Sequence, residues 1–412
     1  MRIVYLAQLF EMENEYDSDR HHYVCKKLVE AGHRVTVLTS NIHYKTGERK
    51  YPVRFFRHHL LRRDGIDIYY LYSPKNIHGK YLKRILYYLA YVFFSLFIFG
   101  AIRDADLIYT VSPSLTVAPL GYWLSQRAKA SYILEIADVW PDVLVEMGFL
   151  RRRWVIRFLE RIELFCYHKA ANIIALTRGI QTNIQAKLDR CADKVVLITN
   201  GINPDLFSGG STGDHPGERM KDLAIPDSGF VCMYLGAHSL YNALDTVIEA
   251  ATALREESGI HFVLIGGGDK KEDLMKDVVS RGLTNVHFLP PVPRLQAPRC
   301  LRSADIFLLP NLKGDFYKMN LQNKFFDYLA SGKPVVFAGC GESADIIKRL
   351  DCGRIVDAED GRAMAKAILD LRSMPKEKRL EMGKKAEDFV FSNYNREVLF
   401  DRLLKVLSPY AR

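Results

Sequence analysis

Lys324 and Asp327 are the side chains whose type and spacing offer chemistry first. They lie in the stretch Asn323-Lys324-Phe325-Phe326-Asp327-Tyr328-Leu329-Ala330-Ser331-Gly332-Lys333-Pro334-Val335-Val336. It reads as a helix start that runs to Gly332, a natural helix stop, followed by Pro334 and a strand. Phe325, Phe326, Leu329 and Ala330 have the spacing of one apolar face. Lys324, Asp327 and Tyr328 are therefore expected to project elsewhere, above the sheet. A helix N-terminus offers free N–H groups and a positive dipole end to phosphate. The lysine adds a point charge, and an acid one turn in accepts hydrogen bonds from sugar hydroxyls. The set suits a nucleotide-sugar; a capped surface helix with solvated charges fits the same residues.

Other candidates lie earlier and later in the chain. Asp138 ends a strand beside Trp140-Pro141, and a carboxylate at the C-terminal end of a strand in an open α/β sheet lies at the ligand crevice. A turn cap for the following Pro-Asp segment is the other reading. Glu135, three residues earlier, falls on the opposite face by alternation and reads as structural. Glu342 precedes a helix expected over 344–350, where the helix dipole alone would favour an acid. His21 and His22 sit at a helix start, either facing an acceptor with Arg20 or forming a surface pair.

The elements that must hold these residues repeat as strand and helix. Residues 2–7 form an apolar strand, 8–20 a loop, 19–31 a helix stopped by Gly32, and 34–39 a second strand, a βαβ unit with parallel strands. Strands recur at 67–71, 107–111, 131–136, 173–176 and 195–199, giving a doubly wound α/β domain over 1–203. The loop after the first strand has no glycine in 8–15, so it carries no G-x-G-x-x-G turn. Residues 204–228, with the glycine run at 209–213, read as a linker. The pattern then restarts with strands at 230–235, 261–265, 286–288, 306–309, 335–337 and 353–356, a second α/β domain over 229–385. The helical stretch 376–407 is long for a terminal cap, and 386–412 is expected to cross back to the first domain.

At 412 residues the chain is too long for one core. Its seven cysteines are scattered without a C-x-x-C pair, which reads as reduced cytoplasmic thiols and no zinc site. The apolar start predicts no secretory leader. A formal charge of +10 points to an anionic partner; without a nucleic-acid motif, a membrane surface is favoured. Residues 85–102 carry no acidic side chain and are near the length of a membrane span, yet the flanking strands belong to one sheet. A buried core helix and a helix lying in the interface both remain. With Lys80, Lys83, Arg84, Arg151, Arg152, Arg153, Arg157 and Arg161 nearby, peripheral association of 82–102 with the inner face of the cell membrane is expected.

The opening strand, Leu134-Glu135-Ile136-Ala137-Asp138-Val139-Trp140-Pro141-Asp142, Asn200-Gly201-Ile202-Asn203, Gly266-Gly267-Gly268-Asp269, the Asn323 stretch and Gly341-Glu342-Ser343-Ala344 together resemble the retaining GT-B glycosyltransferases of family 4. The branch is similar to bacterial enzymes that transfer N-acetylated amino sugars in O-antigen and capsule assembly. The resemblance implies two Rossmann-like domains facing a cleft, with a nucleoside diphosphate sugar, UDP by family expectation, on the second. It implies a lipid-linked or polysaccharide acceptor on the first, and no metal or other cofactor. It places Asp138, Lys324 and Glu342 in catalysis. Gly236, His238, Ser239, Gly267, Asn323, Lys324 and Asp327 fall to the donor, and Arg20 and His21 to the acceptor. The family's first donor acid falls on Met319, leaving Asp315 as a substitute, and its diphosphate cations fall on Ala237 and Asn242. That loss supports the alternative, a silent relative acting as a nucleotide- or membrane-binding scaffold.

Overall fold

The computed structural model describes residues 1–12, 20–43, 47–74, 81–112, 115–208 and 229–411. The glycine run of the expected linker lies outside them. The chain divides into two compact units, Met1–Thr199 with Leu399–Arg412, and Asn200–Val398.

The first unit runs β1 (Arg2–Leu6), α1 (Arg20–Glu30), β2 (Arg34–Ser40), β3 (His58–Arg63), β4 (Ile66–Leu71), α2 (Tyr81–Leu96), α3 (Phe99–Ile102), β5 (Leu107–Ser112), α4 (Val117–Ala128), β6 (Ser131–Ile136), α5 (Asp142–Glu146), α6 (Arg153–Lys169), β7 (Asn172–Ala175), α7 (Arg178–Leu188) and β8 (Val195–Leu197). Its sheet has the order β3-β4-β2-β1-β5-β6-β7-β8. All neighbours are parallel except β3 and β4. Near-continuous apolar runs suit strands covered on both faces. Alternation sends Val4 and Leu6 toward α2 and α4, and Ile3 and Tyr5 toward α1.

The second unit continues with α8 (Pro204–Ser208), β9 (Phe230–Leu235), α9 (Leu244–Ala253), β10 (Ile260–Ile265), α10 (Lys271–Ser280), β11 (Val286–Leu289), α11 (Ala297–Arg302), β12 (Ile306–Pro310), α12 (Asp315–Met319), α13 (Asn323–Ala330), β13 (Val335–Ala338), α14 (Glu342–Leu350), β14 (Gly353–Val356), α15 (Gly361–Ser373), α16 (Lys376–Asn393) and α17 (Arg396–Leu407). Its sheet, β11-β10-β9-β12-β13-β14, is wholly parallel. The order reverses between β9 and β12, which sets the loops after these strands at the switch point where α/β sheets take ligands.

Two expectations shift. The terminal helical stretch is two helices: α16 packs Ala386 and Val390 into the second unit's core, while Leu399, Phe400, Leu403 and Leu407 of α17 enter the first unit's core. The return therefore begins near Leu399 and not at 386. The stretch 82–102 is a core helix on one face only. Tyr91, Phe94 and Ile98 are buried in the core, and the opposite face is exposed. No helix among the described residues is long and apolar enough to cross a membrane.

Candidate active site

The loop that follows β9 is built around one half-buried cation, Lys324. Lys324 Nζ lies 2.5 Å from the Tyr234 hydroxyl and 2.7 Å from Asn242 Oδ1, and 4.4 Å from the centre of the Tyr234 ring. Tyr234 donates to the carbonyl of Ala237 at 2.8 Å, and Asn242 Nδ2 donates to the same carbonyl and to Ser239 Oγ, each at 2.9 Å. Each partner is thus fixed from a second side. Gly236 makes the room: a Cβ there would meet Lys324 Cε and Nζ at 2.9 Å. Ala237 and Asn242 carry no charge themselves, but Lys324 delivers its ammonium to Asn242 from α13.

His238 stands beside it. The residue is fully buried, and neither ring nitrogen has a hydrogen-bond partner among the described residues. Its main chain is tied to Gly267 and Lys270, through His238 N–H to Gly267 O at 2.8 Å and Lys270 N–H to His238 O at 3.0 Å. The glycine run allows this closeness. Gly268 has φ of 151°, and a Cβ there would lie 2.3 Å from the carbonyl oxygen of His238. Burial first, and then the Lys271 and Lys324 cations, push the imidazole down to about 4. It is neutral at pH 7, with one N–H to give. An orphaned buried donor costs about 1–3 kcal/mol, so this imidazole stands ready for an acceptor atom.

Tyr328 does not project as expected. It is buried in the core, stacked on Phe307 at 4.3 Å and bonded to the Leu235 N–H at 2.9 Å. From Phe325 to Ala330 the helix is buried, and only Asn323 and Lys324 reach outward. Asp327 is also buried. Its carboxylate takes a two-pronged ion pair from Arg294 at 2.5 and 2.6 Å. Asp315 is exposed and paired with Lys318 at 2.6 Å, so the structure gives it a surface partner in α12. Glu342 lies in the first turn of α14, after Gly341 with φ of 91°. Gly341 is pressed against the main chain of Lys318, whose carbonyl oxygen a Cβ at this position would meet at 2.2 Å.

In the first unit, Asp138 is half-buried and lines a small pocket with Ser112, Trp140, Glu163, Cys166 and Tyr167. It has no hydrogen bond among the described residues and does not cap α5, whose N-cap is Pro141. Burial pushes its carboxyl up to about 6. Glu163, buried at the same pocket, is held by Lys187 at 2.9 Å and by the Tyr167 hydroxyl at 2.8 Å. Burial raises its pKa against the pull of Lys187.

Arg20 and His21 face inward. Arg20 donates to both oxygens of Glu135, at 3.3 and 3.2 Å, and to the Thr199 carbonyl at 2.9 Å. Glu135 is fully buried and also accepts from Tyr109. Burial raises its carboxyl, but the Arg20 and His21 charges and the hydrogen bonds outweigh that and hold it low. His21 Nδ1 lies 2.9 Å from the Tyr5 hydroxyl. His22 is buried, with Nε2 3.0 Å from Asp64. The surface histidine pair is thus corrected: α1 turns both rings toward partners on the sheet side.

Tyr234, Arg294, Lys271 and Glu163 stand beside the candidate residues, and the sequence motifs do not single them out. Lys271 lies three positions after the last glycine of the run and had that signal; it donates to the Gly266 and Leu289 carbonyls at 2.8 and 2.7 Å. Arg294 lies 33 positions before its partner Asp327 and had none.

These two units define a GT-B glycosyltransferase. The family described as "Glycosyl transferase 4-like domain" matches residues 19–201, and "Glycosyl transferases group 1" matches 229–373. Among relatives, the putative colanic acid biosynthesis glycosyl transferase WcaI of Escherichia coli K12 is 28% identical over 70% of this chain and 71% of its own length. The D-inositol 3-phosphate glycosyltransferase of Salinispora arenicola is 25% identical over 48% of this chain and 46% of its own. Among solved structures, Anabaena HepE in complex with UDP and glucose superposes with a TM-score of 0.71 at 15% identity, covering 99% of both chains. The sucrose-phosphate synthase of Thermosynechococcus elongatus superposes at 0.76, again at 15% identity and 99% of both chains.

Proposed function

We propose that the chain transfers a sugar, an N-acetylated amino sugar in our reading, from UDP to a lipid-linked or polysaccharide acceptor, with retention of configuration, in cell-surface glycan assembly at the inner face of the membrane. One observation carries the reading: the Lys324 ammonium is seated beside a neutral, unpartnered His238 in a glycine-built loop at the switch point of the second sheet. A departing diphosphate needs positive charge and hydrogen-bond donors aimed at it in a site that excludes water. Lys324 supplies the charge and His238 one N–H, so the reaction needs no metal in this reading. The Asp327–Arg294 pair orders the nucleotide side, Ser239, Gly267 and Asn323 line it, and Glu342 stands at the donor sugar. Asp138 holds the acceptor. The name of the WcaI relative and the UDP complex of HepE support the donor and pathway class.

The test is a titration of purified protein with UDP, GDP and ADP, followed by UDP-sugars with membrane extract as acceptor source. UDP binding above the other two, and UDP release that depends on the extract, are expected. Lys324→Met is expected to lose UDP binding while its circular dichroism is unchanged. Absence of UDP binding by the unaltered protein, or full binding by Lys324→Met, would remove the reading.

A further inference from the structure

Three neighbouring helices on one face of the first sheet share an outward surface that the core does not use. α2, α4 and α6 pack in that order; Phe99 of α3 meets Trp123 at 6.1 Å, and Tyr122 meets Phe165 at 5.2 Å. The exposed positions of α2 from 85 onward, and Phe97 just beyond it, are all apolar. Leu86 is 60% and Phe97 58% exposed, with Leu89 and Phe93 between them at helical spacing. Phe56 continues the surface, 5.3 Å from Phe97. Its φ of 59° is a left-handed conformation that a bulky side chain avoids, and its ring is exposed, so burial does not offset the strain.

The outward stripe of α6 interleaves Arg153, Trp154, Arg157, Phe158, Arg161 and Phe165. Trp154 is 69% and Phe158 56% exposed. Arg127 lies over the exposed Trp123 ring at 4.9 Å. Residues 81–102 contain no acidic side chain; of the acids of α6, Glu163 is buried and Glu160 half-buried. A surface of this kind on a folded protein marks a binding face. Rings and leucines flanked by guanidinium groups, with no opposing carboxylate on α2, match the acyl boundary and phosphate layer of a bilayer.

The geometry points to an anionic phospholipid bilayer seated on the α2–α4–α6 face, with the α2 side chains, Phe56 and Trp154 entering the interface and Arg153, Arg157 and Arg161 meeting lipid phosphates. This deepens the reading that the acceptor is lipid-linked and names the surface that would bring the enzyme to it.

Co-sedimentation of the full chain with vesicles of phosphatidylglycerol and phosphatidylcholine, and of phosphatidylcholine alone, tests it. Binding to the anionic vesicles only, weakening with salt, is expected. Trp154→Ser/Phe158→Ser and Leu86→Ser/Phe97→Ser should each reduce the bound fraction tenfold or more. Arg153→Gln, Arg157→Gln and Arg161→Gln should each lower partitioning roughly fivefold. All these residues lie outside the unit that holds Lys324, so UDP binding should be unchanged and doubles as the check on folding. An unaltered protein that stays in the supernatant, or variants that sediment like it, would overturn the docking surface. So would a dimer in sedimentation velocity that the same substitutions dissolve, since a second copy would then cover the face. Vesicle binding without UDP binding would instead sink the donor reading and leave the docking surface standing.

Discussion

Single side chains set the sharpest expectations. Removing one charge or donor aimed at a leaving group costs on the order of 100- to 1,000-fold in kcat. Lys324→Met is therefore expected to lower kcat/KM by that factor, with little change in Tm because its partners Tyr234 and Asn242 keep the Ala237 carbonyl. Steady-state kinetics beside a melting curve check this, and a parallel loss of Tm would recast Lys324 as structural. Asp138 differs, because burial pushes its carboxyl up to about 6 from a usual value near 4. A carboxyl raised in the folded protein contributes stability that is present below the unfolded value and is lost as pH climbs toward the folded one. Asp138→Asn should thus melt like the parent at pH 4, melt higher above pH 6, and transfer poorly at either. If turnover needs the ionised form, the parent's rate climbs through about pH 6, and a flat rate between pH 5 and 7 would remove Asp138 from the acceptor side.

At the scale of elements, α1 is locked to β6 by a charge pair inside the first unit. Arg20 and Glu135 are both buried, and breaking a buried pair from one side leaves an uncompensated charge, costing about 3–5 kcal/mol. Glu135→Gln should lose that in urea unfolding, whereas Arg20→Met/Glu135→Leu should recover at least half, because no buried charge is left behind. Equal losses would mean that the Tyr109 and Thr199 contacts, not the charge, hold the helix. Both parallel sheets were readable in the sequence because their strands are apolar runs between glycines and polar loops. β3 was not, since His58-His59-Leu60-Leu61-Arg62-Arg63 is a half-exposed edge strand without such a run. Its one local signal was the turn at Asp64 and Gly65, both at positive φ, 52° and 74°. In the candidate site, Lys324 was singled out by its helix start, whereas Gly236 and His238 came only from the family resemblance. The Asp327–Arg294 pair and the Tyr234 seat were not, since they join residues 33 and 90 positions apart. Such pairs have no period to read. With Arg294 against Asp327, Asp327→Ala should cost stability as well as donor affinity, and Arg294→Met/Asp327→Leu should separate the two by restoring Tm without restoring UDP binding.

Across the whole molecule, the division into two cores makes ligand effects separable. All the residues assigned to the donor, from Gly236 to Glu342, belong to the unit Asn200–Val398. All three tryptophans, Trp123, Trp140 and Trp154, belong to the other. Tryptophan fluorescence therefore follows unfolding of the first unit, whereas calorimetry records both. A ligand that binds only the folded form stabilises it by about 2.7 kcal/mol at 100 times its Kd. For a unit of roughly 200 residues each kcal/mol moves Tm by about 2–4 °C, so saturating UDP should raise the second unit's transition by roughly 5–10 °C. The fluorescence midpoint should move less than the calorimetric one, and hydrogen exchange should slow most in peptides from β9, β12 and α13. Lys324→Met should cancel all three effects, because the ligand would have lost the cation that distinguishes the folded site from the unfolded chain. If UDP instead protected β6 and α6 and left β9 and α13 unchanged, the nucleotide would belong to the first unit, and the assignment of donor and acceptor to the two cores would have to be exchanged.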